Sequence, residues 1–60
     1  MRLTITIDMD NAAFDDNARA EVSEILTDLI DEFPASPAPG DGAPLWDSNG
    51  NTVGEWNIHE

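Results

Sequence analysis

Leu3, Ile5 and Ile7 alternate with Thr4 and Thr6, the two-residue period of a strand with one buried face. Asp8-Met9-Asp10-Asn11 follows, a cluster of turn formers that ends it. The period then changes. Ala18, Val22, Ile25, Leu26, Leu29, Ile30 and Phe33 recur at helical spacing. Asp15, Asp16 and Asn17 stand where a side-chain oxygen can cap the first turn, and Pro34 stops the helix. Residues 34–44 form a Pro/Gly-rich loop with nothing to bury. Leu45-Trp46-Asp47 and Thr52 to Ile58 predict two further strands, joined through Ser48-Asn49-Gly50-Asn51 with positive φ suited to Asn49 and Gly50. Val53 is out of phase with Trp56 and Ile58, and a bulge near Gly54 would bring all three to one face. The expected fold is α+β in the order β-α-β-β. A three-stranded antiparallel sheet, its last strand central, carries one amphipathic helix on one face, and residues 1–60 form a single domain.

Composition changes this picture chiefly through charge. Thirteen Asp and Glu stand against two Arg and no Lys, a formal charge of -11. A small, well-behaved domain usually carries a net charge of magnitude about 2–8. Excess charge of one sign costs stability through self-repulsion. A domain this small has little to spare, because it buries only about 60% of its unfolded surface. Direct contact with nucleic acid or an anionic membrane is excluded, which leaves a basic protein surface, a cation or high salt. An acid-rich, Lys-free surface also suits a salt-adapted or merely soluble protein. Without cysteine there is no disulfide framework and no thiolate metal site. Neither a signal core nor a span is visible, so a cytoplasmic protein is expected.

The acids of the helix are not scattered. With Glu21 at zero on a helical wheel, the apolar residues fall between about 40° and 180°, and Glu24, Asp28, Asp31 and Glu32 between about -80° and 20°. Glu21/Glu24, Glu24/Asp28, Asp28/Asp31 and Asp28/Glu32 are all like-charged neighbours, where Glu–Lys pairs would have attracted. Seven carboxylates lie between Asp15 and Glu32. Over that stretch the spacing is one charge per ~4 Å of axis, against ~3.4 Å for the phosphates of a DNA strand. The expected partner site is therefore Asp15, Asp16, Glu21, Glu24, Asp28, Asp31 and Glu32, matched to a Lys/Arg-lined surface.

Other chemistry is thin. Asp47-Ser-Asn49-Gly-Asn51 has the alternating oxygens of a calcium loop, but Thr52 and Ile58 occupy the positions that need Gly and Glu. Asp8-x-Asp10 reads as a turn, and the lone His59, expected at a frayed end, has no companion for zinc. No Ser has a His-plus-acid setting, and outward-pointing acids are poor general acids or bases. A non-enzymatic protein without cofactor or metal is expected. Trp46 and Trp56 are assigned to the core under the helix, although tryptophan also anchors interfaces.

Ile5-Thr-Ile7-Asp-Met-Asp-Asn11-Ala-Ala-Phe14, Glu21-Val22-Ser-Glu-Ile25-Leu26 and Asp47-Ser-Asn-Gly-Asn51-Thr-Val53-Gly54 together resemble short proteins of phages and other mobile elements. Some members of that group resemble anti-CRISPR proteins, small acidic inhibitors of type I Cascade complexes. The resemblance spans nearly the whole chain outside the Pro-rich loop, and its motifs are structural. It implies a phage-encoded inhibitor in the host cytoplasm that occupies a DNA-binding channel of a CRISPR effector complex. It transfers no catalytic residues. The competing expectation is a small acidic interaction module, antitoxin-like or accessory, or a salt-adapted protein without DNA mimicry.

Overall fold

The computed structural model describes all 60 residues. Strand β1 (Arg2–Ile7) leads through a single 3-10 turn (Ala12–Phe14) to helix α1 (Ala18–Glu32), followed by β2 (Gly42–Trp46) and β3 (Thr52–His59). The sheet order is β1-β3-β2, and both pairings are antiparallel. The architecture is α+β, with the last strand central, the simplest arrangement of the three.

The capping oxygen of α1 belongs to Asn17, which accepts from the Ala20 N–H. Asn11 caps the short 3-10 turn in the same way through Ala13. That turn, unforeseen from the sequence, drives Phe14 into the core beside Ile25, Leu29, Leu45, Val53, Trp56 and Ile58. Trp56 stacks obliquely on Phe33, with ring centroids 5.3 Å apart. Its indole N–H is buried and donates to no acceptor.

The bulge falls where the phase break requires it. Leu45 lies opposite Gly54 and Trp46 opposite Thr52, so Val53 is the extra residue on β3. Val53, Trp56 and Ile58 are consequently all buried. The hairpin turn differs from the expectation of positive φ at both Asn49 and Gly50. Asp47 N–H donates to Asn51 C=O at 2.9 Å, and Gly50 N–H to Asp47 C=O at 3.1 Å, which leaves a three-residue loop. Only Gly50, at φ 84°, takes the left-handed conformation there, and Asn49 does not.

Four further expectations are corrected. Gly42, Ala43 and Pro44 belong to β2 rather than the loop, and Ala43 packs against the core. Trp46 is 46% exposed, because its neighbour Leu45 points inward and adjacent strand residues take opposite faces. Ile30 is 72% exposed: at about 180° it lies on the rim of the apolar arc, and it borders a concavity between β1 and α1. His59 is not frayed. It pairs with Arg2 in the sheet, and its Nε2 lies 3.0 Å from Thr4 Oγ1.

Candidate partner-binding surface and its polar clasp

Of the seven carboxylates assigned to a partner, six are exposed: Asp15, Asp16, Glu24, Asp28, Asp31 and Glu32. Asp15 and Asp16 occupy the turn entering α1, and the other four lie along the helix. Asp31 and Glu32 sit in the last turn, which contains no basic residue. Negative charge at that end opposes the helix dipole, as the like-charged spacing opposes helix stability. Fold stability accounts for neither arrangement.

Glu21 is the exception. It is buried, and its carboxylate accepts from the Ser48 N–H at 2.6 Å and the Ser48 hydroxyl at 3.0 Å. The helical wheel places it at the edge of the apolar arc, where the hairpin turn folds over it. Glu21 thus joins the first turn of α1 to the β2–β3 turn and leaves the exposed acidic surface.

Asp47 completes this clasp. One carboxylate oxygen accepts from the Asn49 and Asn51 N–H groups at 2.9 and 2.8 Å. The other accepts from the side chains of Asn11 at 2.8 Å and Asn51 at 3.3 Å. Hydrogen bonds to Glu21 and Asp47 thus tie together the residues before the 3-10 turn, the helix start and the hairpin turn. The sequence signal was available, since Asp two residues before Asn is a side-chain-to-backbone turn. Both oxygens face N–H donors, so the calcium-like spacing here serves a turn. No three His, Asp or Glu side chains converge to hold a metal ion. No helix is long and apolar enough to cross a membrane.

Two carboxyls are shifted. Burial acts to raise Asp47, but donors from Asn51, Asn11 and Asn49 outweigh it and hold the group below its ordinary 3.8. Asp8 raises Asp10 above 3.8, first through a side-chain hydrogen bond and then through charge repulsion. The two shifts act on stability with opposite signs. For Asp10 the favourable contribution is complete below the unfolded-state value and disappears as pH rises through its raised folded value. For Asp47 it is present above the unfolded value of about 3.9 and disappears as pH falls through its lowered folded value. The melting temperature between pH 2.5 and 8 should therefore rise out of acid and decline again toward neutrality. Asp10→Asn should soften the decline toward neutrality and Asp47→Asn the decline into acid. A melting temperature climbing steadily to pH 8 would contradict the Asp10 assignment, and one that does not fall into acid would contradict the Asp47 assignment.

The far face of the sheet holds a shallow polar concavity bordered by Thr6, Asp8, Thr52, Glu55 and Asn57. An apolar one, bordered by Leu3, Leu29, Ile30 and Phe33, lies between β1 and α1. No threonine hydroxyl donates to a carboxylate in either, and the exposed carboxylates of the helix are the most distinctive surface chemistry. The chain matches no family model, no curated protein and no solved structure.

Proposed function

We propose that the protein is a non-enzymatic, phage-encoded inhibitor of anti-CRISPR type. Its exposed carboxylates occupy a Lys/Arg-lined, DNA-binding channel of a host effector complex. The observation that carries this reading is the row Glu24, Asp28, Asp31 and Glu32, extended by Asp15 and Asp16, all exposed and with no basic residue in the last helical turn. Arg19 is the one cation within the span from Asp15 to Glu32. It falls near 160° on the wheel, away from the acids. Glu21 supports the surface from below rather than contacting the partner.

Size supports the same reading. The longest dimension is 36 Å, comparable with one turn of duplex at about 34–36 Å. The family likeness described above supplies the choice of a CRISPR complex among basic targets. Binding to a purified type I effector complex, measured by DNA competition, should weaken steeply between 50 and 500 mM salt. Salt-independent binding, or binding that leaves DNA loading unaffected, would count against the reading.

A further inference from the structure

Both edges of the sheet are open, but they are built differently. The β2 edge contains Pro44, which lacks an N–H and blunts further pairing. The β1 edge, Arg2–Ile7, has neither Pro nor Lys nor bulge.

The orientation of its backbone follows from the ladder. Asp8 N–H donates to Val53 C=O at 2.7 Å, toward β3. Ile58, opposite Leu3, spends its own N–H and C=O on Asp41 and Gly40 at 2.8 and 2.9 Å, on the β2 side. Antiparallel pairs alternate between bonded and non-bonded. Arg2, Thr4, Thr6 and Asp8 therefore turn toward β3, and Leu3, Ile5 and Ile7 turn N–H and C=O outward.

The side chains of the same residues form the helix-facing side of β1, and α1 leaves them half covered. Leu3 is 42% and Ile5 41% exposed, while Trp56 and Ile58 opposite them are each 4% exposed. Ile30, 72% exposed, borders the same concavity. The charge is equally distinctive. Residues 1–7 contain no carboxylate in a chain that has thirteen, and they contain Arg2.

We propose that this edge pairs with β1 of a second copy of the chain, antiparallel and with the two-fold axis at Ile5. Leu3 then lies opposite Ile7 and Thr4 opposite Thr6. Every outward N–H and C=O at Leu3, Ile5 and Ile7 finds a partner. The same register sets Arg2 of each copy opposite Asp8 of the other, so both ends of the ladder are charge-matched. Slipping by two residues puts Arg2 opposite Thr6 or carries it off the strand. Slipping by one sets polar against apolar faces. The two sheets become one, with both helices on the same side, as an isologous contact requires. Ile30 and Arg19 share the side of α1 that faces the two-fold axis, and the acidic residues face away from it. The proposal therefore stands or falls separately from partner binding.

Sedimentation equilibrium from 10 µM to 1 mM tests it. We expect a species of twice the 6.5 kDa chain mass, with amide exchange at Leu3, Ile5 and Ile7 slowing as concentration rises. Arg2→Asp should weaken association about 10- to 30-fold, since two cross-strand attractions become repulsions. Arg2→Asp combined with Asp8→Arg should restore it, with circular dichroism verifying the fold of each variant. A monomer at 1 mM whose three amides exchange freely would overturn the proposal. So would a dimer indifferent to Arg2→Asp, which would use another surface.

Discussion

Gly54→Ala should remove a large part of the fold's stability, at least ~3 kcal/mol. Gly54 lies opposite Ile7 on one side and Leu45 on the other, at the bulge where β3 presses against β1. A Cβ there would fall onto the Thr6 carbonyl oxygen, 2.8 Å from its carbon and 3.1 Å from Ile7 Cα. All three are backbone atoms of a paired strand, so no rotamer change relieves the contact. Relief requires β1 to move away from β3. Overpacking ordinarily costs about 1–3 kcal/mol and more when backbone must shift. The total stability of a chain this long is on the order of 3–9 kcal/mol. We expect a loss of at least ~3 kcal/mol, read from far-ultraviolet circular dichroism and tryptophan fluorescence during urea titration. Gly50→Ala is the control. Its added Cβ meets nothing within 4 Å, and its cost is the left-handed conformation at φ 84°, about 1–2 kcal/mol. Equal effects from the two substitutions would show that the close approach at Gly54 is not limiting.

Replacing Glu24, Asp28 and Asp31 together by Lys should reduce affinity for a basic effector channel by at least ~100-fold. Each replacement changes the charge by two, so the net charge moves from -11 to -5. All three side chains are exposed, so the fold should persist. The melting temperature should stay within about 5 °C of the parent. Glu21→Gln provides the opposite signature. Its carboxylate is occupied by Ser48, so affinity should hold while the melting temperature falls. Surface plasmon resonance paired with thermal melts separates the two outcomes. Trp46→Ala adds a third arm, since that ring is 46% exposed. A larger loss from Trp46→Ala than from the triple reversal would favour an aromatic interaction module instead.

The elements were legible where local pattern decides them. Alternation at Leu3, Ile5 and Ile7, the Pro34 stop and the phase break at Val53 each fixed a feature the structure contains. The central place of β3 came from choosing the simplest arrangement of three strands rather than from any local pattern. Errors arose where tertiary contact decides. The position of Glu21 on the wheel is ambiguous until the Ser48 turn closes over it. The wheel places Ile30 on the rim of the apolar arc and leaves open whether a strand covers it. Gly42-Ala43-Pro44 reads as loop because an edge strand tolerates Pro that an interior strand would not. Trp46 was avoidable, since burying Leu45 in a strand sends its neighbour outward. In the candidate site, the exposed acids came from helical periodicity and needed no tertiary information.

The central place of β3 also constrains how the molecule comes into being. β1 and β2 have no hydrogen-bonding relation to each other, and each pairs only with β3. While the ribosome is still making β3, the earlier strands have no template, and α1 has only part of its apolar support. The nascent, highly charged chain cannot complete its sheet until β3 clears the exit tunnel. The mutual repulsion of its acids, a burden to the finished fold, keeps that waiting chain from clumping.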